Sequence, residues 1–164
     1  MQQITAHCFS ADALFRLPNG DLRAARRLEV GSEVCAAVDG FWDTYATVIS
    51  CHIRSGCEQD LICLVAGKAY LTVTSNHRIC AKRRSGASSS VIANQLVQCD
   101  VVRIFGGTGE ELTSVTRYTM VADVVAIRFS RDLVVEAYPP VQATILSKGE
   151  RASTRSRMKQ MHLN

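Results

Sequence analysis

Cys8 lies close to the start of the chain, and a Thr74-Ser75-Asn76-His77 cluster follows much further on. A thiol and an imidazole are therefore the first candidates for chemistry. The sulfur of Cys8 can reach the carbonyl of His7 through a small ring, and attack there would convert the His7-Cys8 amide into a thioester, with proximity replacing an encounter. Cys8 would be the nucleophile. A free thiol has a pKa of about 8.5 and is only a few per cent thiolate at neutral pH, so the step needs a base, and the amide nitrogen needs a proton before it can leave. His77, with an unperturbed pKa of about 6.5, can serve both ends of that proton traffic.

The elements that must position these groups read as short strands. Cys8-Phe9 heads a strand-like stretch, Ala13-Leu14-Phe15-Arg16-Leu17, closed by a Pro18-Asn19-Gly20-Asp21 turn. Strands are predicted over 14–17, 33–38, 46–53, 61–65, 69–74, 78–82, 101–105, 120–129 and 133–137, each rich in Val, Ile, Thr or Leu. Punctuation falls between them at Gly20, Gly40, Gly56, Gly67, Ser85-Gly86 and Gly106-Gly107. Only 22–28 and 92–96 offer a helical turn, so an all-β domain is expected. An internal echo adds to this. Leu28-Glu29-Val30-Gly31-Ser32-Glu33-Val34 and Leu96-Val97-Gln98-Cys99-Asp100-Val101-Val102 share a Leu, a small residue, a Ser or Asp and a Val at one spacing. A duplicated half-domain, two similar β units about a pseudo-dyad, would account for it.

With 164 residues, 47% of them hydrophobic, the chain is long enough for one cored domain and short for two. No apolar run approaches the roughly 18 residues of a membrane helix, and residues 1–7 do not have the pattern of a secretory signal. The net charge of +4 is local: residues 148–164 hold Lys148, Arg151, Arg155, Arg157 and Lys159 against Glu150, and the remainder balances. That stretch reads as a solvated extension in preference to a nucleic-acid-binding arm. Cys8, Cys35, Cys51, Cys57, Cys63, Cys80 and Cys99 include no Cys-x-x-Cys pair, which argues against a disulfide framework or a zinc knuckle and favours a reducing compartment.

Cys8-Phe9, Leu17-x-x-Gly20, Leu28-x-x-Gly31-Ser32-x-Val34 and Leu71-Thr72-Val73-Thr74-Ser75-Asn76-His77, in that order, resemble the Hint superfamily, which includes inteins, bacterial intein-like domains and the autoprocessing domain of hedgehog proteins. The resemblance covers residues 8–148. It implies a horseshoe-shaped all-β fold with two pseudo-symmetric halves, and no cofactor or metal. By the same resemblance, His77 is the acid/base, Thr74 its hydrogen-bonding partner at the scissile amide, and Asn76 a group that could polarise the same carbonyl.

Departures from the family pattern narrow the activity. Inteins end in a His-Asn pair after a last apolar strand, whereas here the strand expected over 141–146 runs into Ser147-Lys148-Gly149. Asn164 and His162 sit in a stretch that does not approach as a strand. Ala126 stands where the intein motif has an Asp, and Asp132 falls near its His, which makes Asp132 a further site candidate. The carboxylate that hedgehog-type domains use for sterol transfer has only His52 near its place, and the loop over 83–90 is too short to hold an endonuclease.

The expected organisation is thus an upstream remnant over 1–7, a Hint domain over 8–148 and a basic tail over 149–164. The expected function is an autocatalytic N-to-S acyl shift at His7-Cys8, with the upstream polypeptide as covalent substrate and water or a small nucleophile as acceptor. The domain would act as a monomer away from membranes. Two alternatives are a splicing mini-intein with a degenerate C-terminal motif, and a non-catalytic β interaction module with a basic tail.

Overall fold

A computed structural model describes residues 7–38, 41–82, 88–104, 109–135, 137–138, 145 and 147–150. Sixteen strands run through them: β1 (Cys8–Ser10), β2 (Leu14–Arg16), β3 (Leu22–Ala24), β4 (Glu33–Val38), β5 (Phe41–Arg54), β6 (Glu58–Ala66), β7 (Ala69–Thr74), β8 (Arg78–Lys82), β9 (Ser88–Ile92), β10 (Val101–Arg103), β11 (Gly109–Glu111), β12 (Ser114–Val121), β13 (Val124–Phe129), β14 (Val134–Val135), β15 (Ala137–Tyr138) and β16 (Ser147–Lys148). The expected all-β class holds, and the only helical turns among these residues are two 3-10 turns, Ala25–Arg27 and Ala93–Gln95.

Alternation of buried and half-buried side chains along β7, with Ala69, Leu71 and Val73 inward, is what the period of a pleated strand requires. Every named pairing is antiparallel, and the strands that carry the site run in the order β5-β13-β1-β7-β6-β12. The long β5 ties this group to the rest: Thr44–Thr47 pair with β4, while Ser50–Arg54 pair with β13. Phe9, Phe15 and Phe129 lie in the main core, with Phe9 edge-on to Phe15 at a centroid distance of 5.1 Å.

The sequence echo is a structural repeat. In the first half Ala25 N–H donates to Ala13 O and Arg26 N–H to Ala11 O; in the second, Ala93 N–H donates to His77 O and Asn94 N–H to Ser75 O. Leu28 and Leu96 close the two 3-10 turns in the same way, each N–H bonding back to an alanine carbonyl at 3.1 Å. The following turns match as well. Glu29 N–H donates to Ser32 Oγ, and Val97 N–H to Asp100 Oδ2. The repeat sets Ser10 against Thr74 and Ala13 against His77.

Some expectations need correction. The single strand expected over 120–129 is two, because β12 pairs with β6 while β13 pairs with β5 and β1, and Ala122-Asp123 joins them. No glycine or proline marks that break. Within 22–28 the first three residues form β3 against β2, and only Ala25–Arg27 turn. β9, β11 and the first part of β12 escaped sequence reading, since Ser, Glu, Thr and Arg dominate them and carry little hydrophobic period. Of the strand expected over 141–146, only Ile145 lies within the described residues, in an isolated bridge with Ile104.

Gly31 and Cys99 occupy matching turn positions with φ of +94° and +75°. Glycine adopts this left-handed conformation freely, whereas a side chain pays about 1–2 kcal/mol. A Cβ on Gly31 would meet nothing within 4 Å, so the cost of Gly31→Ala is conformational alone, and it should lower stability by about 1 kcal/mol. Cys99 is exposed, so Cys99→Gly should relieve the same strain without loss of packing and raise the urea midpoint. A lower midpoint for Cys99→Gly would show that the turn is not strained.

Candidate active site

β1 lies between β13 and β7, with Cys8 opposite Ala126 and Phe9 opposite both Val125 and Val73. Successive side chains on a strand point to opposite faces. Phe9 therefore enters the main core, while Cys8 faces a smaller cluster with Leu61, Val124 and Ala126. His52 pairs with Ala126 from the other side, so His52, Ala126 and Cys8 form one rung across three strands.

The Cys8 amide, the nitrogen of the His7-Cys8 bond, donates to Thr74 Oγ1 at 2.9 Å. The Thr74 hydroxyl has one proton and two acceptors in reach, Cys8 O at 3.3 Å and Asn76 Oδ1 at 3.1 Å. Asn76 thus bears on Thr74. After β7 the chain turns tightly: Ser75 N–H donates to Asp60 O, His77 N–H to Thr74 O, and His77 O accepts from Ala93. These bonds fix the His77 backbone, and its buried ring lies edge-on to Phe9 at a centroid distance of 4.4 Å. The thiol and the imidazole flank the Cys8 backbone from opposite faces of the sheet. His77 thus lies against the Cys8 backbone, on the face away from the sulfur.

Burial sets the charge state of both groups. It pushes the His77 pKa down to about 3, assisted by the positive influence of His7 and Arg78. A weak contact with the Cys8 backbone favours the charged ring but does not outweigh burial, and neither ring nitrogen makes a hydrogen bond of full geometry. Burial likewise pushes the Cys8 thiol up to about 11, with Arg54 lowering it and Glu150 raising it. At neutral pH the site holds a protonated thiol and an uncharged imidazole.

Asp132 is placed elsewhere. Its carboxylate takes two hydrogen bonds from Arg78, at 2.7 and 3.0 Å, and an ion pair with Lys148 at 3.5 Å. Arg78 is 2% exposed, and it also donates to the carbonyl of Gly149. This clamp joins the strand after His77 to the loop after β13 and to the end of β16. Gly149 packs against β13, where a Cβ would lie 2.7 Å from Ile127 O, and Glu150 N–H donates to that same oxygen at 2.8 Å. The first two residues of the expected tail are therefore docked, and 151–164 lie outside the described residues, as do 1–6 of the upstream remnant.

Sequence reasoning passed over Arg78, Arg54 and Glu150. A charged residue heading the apolar run Ile79-Cys80-Ala81 was the one visible sign of Arg78. Among the described residues all seven thiols are free, no three His, Cys, Asp or Glu side chains gather as metal ligands would, and no helix is long and apolar enough to cross a membrane.

No protein-family model matches the sequence, and no curated protein does. Solved structures match the fold. The bacterial intein-like domain from Clostridium thermocellum superposes with a TM-score of 0.68 at 17% identity, over 87% of this chain and 98% of that one. A DnaB intein from Synechocystis sp. PCC 6803 gives 0.67 at 16%, over 88% and 99%, and the TvoVMA intein 0.68 at 14%, over 85% and 96%. The fold is that of an intein-like Hint domain, in two pseudo-symmetric halves, as the resemblance implied.

The Arg78 clamp has a pH signature. Burial would raise the Asp132 carboxyl, but the hydrogen bonds and charge of Arg78, with Lys148, hold it below its ordinary value. A depressed carboxyl stabilises the fold above its unfolded pKa and loses that contribution as pH falls through the folded one. Asp132→Asn, which leaves a buried guanidinium short of partners, should cost about 1–3 kcal/mol at pH 7. The gap from the parent in urea unfolding should close below about pH 4, the ordinary carboxylate range; a constant gap down to pH 2 would exclude the ion pair as its source.

Proposed function

We propose that this domain cleaves its own chain at His7-Cys8 by an N-to-S acyl shift, and passes the upstream segment from the thioester to water or another small nucleophile. The observation that carries this reading is the hydrogen bond from the Cys8 amide to Thr74 Oγ1, with buried His77 on the same backbone. An amide nitrogen is a poor leaving group until it is protonated; Thr74 holds that nitrogen, and His77 is the proton-carrying side chain against the same residue's backbone.

The thiol gives up its proton to solvent and the Cys8 sulfur bonds to the His7 carbonyl carbon. In the tetrahedral intermediate the nitrogen has lost amide conjugation and become a far stronger base. It takes a proton through His77, which is replenished from solvent, while Thr74 holds the N–H in line. The carbon–nitrogen bond then breaks. One proton is lost at sulfur and one gained at nitrogen, so the shift is an isomerisation that ends in a thioester and a free Cys8 amine. Keeping His77 uncharged in the resting state makes it ready to exchange a proton at a site from which water is largely excluded.

Cleavage without ligation is favoured by the chain near β16. Ser147-Lys148-Gly149-Glu150 offers no asparagine to cyclise, and Gly149 and Glu150 are bound to β13 and Arg78 through their backbones. The basic stretch from Arg151 onward is then dispensable for chemistry at Cys8.

Intact-mass spectrometry of the full chain with hydroxylamine tests this reading, because hydroxylamine intercepts a thioester and spares an ordinary amide. Residues 1–7 should be released, and Cys8→Ala should abolish release. His77→Ala should slow it by about 10²–10⁴-fold, with Thr74→Val costing less. Since the thiol pKa is raised to about 11, the rate should climb from pH 7 to pH 9. Equal cleavage of the Cys8→Ala variant at that bond would overturn the mechanism.

A further inference from the structure

The thioester proposed above needs an acceptor, and the candidates for activating one are few. Asp132 is held by Arg78 and Lys148, Ala126 has no functional group beside Cys8, His52 stands two strands from Cys8 on the far side of Ala126, and His77 binds protons too weakly to draw one from water efficiently. Glu150 remains, and its backbone fixes its place.

Carbonyls of alternate residues on a strand point to the same edge. On β13 the register with β1 is unbroken from Val124 to Ala126, and just before it Asp123 O accepts from Ala11, the residue after β1. Asp123, Val125 and Ile127 therefore direct their carbonyls toward β1. β1 fills that edge as far as Cys8 opposite Ala126, so the next rung, at Ile127, is where His7 would pair. Ile127 O is instead bonded to Glu150 N–H. Glu150 thus stands on the rung next to the acyl side of the His7-Cys8 bond. Its charge reaches Cys8, and among the described residues no hydrogen bond or ion pair engages its carboxylate, although the residues around it are clamped.

We infer that the Glu150 carboxylate is the general base that activates water against the His7-Cys8 thioester, which makes hydrolysis the fate of the upstream segment. Glu150 takes a proton from water as the water oxygen bonds to the His7 carbonyl carbon. The carbon–sulfur bond breaks, and the departing Cys8 sulfur takes the proton back from Glu150. A His7 carboxyl and a Cys8 thiol result, with Glu150 restored. This inference rests on the proposed acyl shift.

The two steps can be read separately in the full chain by intact mass, with and without hydroxylamine. In heavy-oxygen water, parent protein should release residues 1–7 with heavy oxygen in the His7 carboxyl. Glu150→Gln keeps the backbone bond to Ile127, and it should slow this spontaneous release by about 10²–10⁴-fold, the loss typical of a general base. Hydroxylamine is a strong nucleophile that does not rely on that base. Capture in Glu150→Gln should be as fast as in the parent or faster, since removing the charge eases ionisation of Cys8. Glu150→Asp should restore part of the hydrolysis. Unchanged spontaneous release in Glu150→Gln, or an equal loss with and without hydroxylamine, overturns the role of Glu150 while leaving the acyl shift standing. Absence of hydroxylamine cleavage in the parent overturns the acyl shift itself.

Discussion

The bond from the Cys8 amide to Thr74 Oγ1 joins two parts of the chain that are 66 residues apart, and the site exists only where they meet. A backbone N–H buried in a sheet must find a partner, because an unpaired one costs about 1–3 kcal/mol. Cys8 stands at the end of β1, opposite Ala126 on the β13 side, and its N–H turns to the β7 side, where a threonine hydroxyl takes the bond that a strand carbonyl would otherwise supply. The same requirement that closes the sheet thus puts a hydroxyl on the nitrogen of the His7-Cys8 bond. Folding and the geometry of that amide are one constraint.

Burial then divides the charges. The pleat sends Phe9 into the main core and Cys8 into the small cluster, and the two groups titrate away from neutrality in opposite directions, the thiol to about 11 and the imidazole to about 3. Neither is ionised at neutral pH. The charges that do exist nearby are kept at the sheet's margin: Arg54 on β5, Glu150 beyond β16, and the Arg78–Asp132 pair behind His77.

Much of this was legible in the sequence wherever one face of a strand is buried. Residues 33–38, 69–74 and 78–82 read correctly to the residue, since alternating Val, Leu, Ile and Ala mark a core face. Cys8, Thr74 and His77 were legible as an ordered set, and they do converge. Asn76 falls one contact away, on Thr74. Asp132 could not be assigned in advance because its partner is Arg78, and a buried cation pairs with whichever carboxylate the loops bring to it. Glu150 was hidden for a different reason. Its place depends on a main-chain bond to Ile127, and the composition after residue 148 resembles that of any solvated tail.

The repeat explains how Thr74 and His77 come to lie beside Cys8. Equivalent hydrogen bonds hold Ala13 in one half and His77 in the other, and equivalent strand ends carry Ser10 and Thr74. Ser10 and Thr74 both carry a hydroxyl, whereas the buried methyl of Ala13 is matched by the imidazole of His77. Because the halves meet through β1 and β7, Thr74 and His77 of the second half are delivered to the strand end of the first. Duplication therefore supplies the scaffold, and a histidine at the position matched by an alanine is what distinguishes the half that lies against the Cys8 backbone.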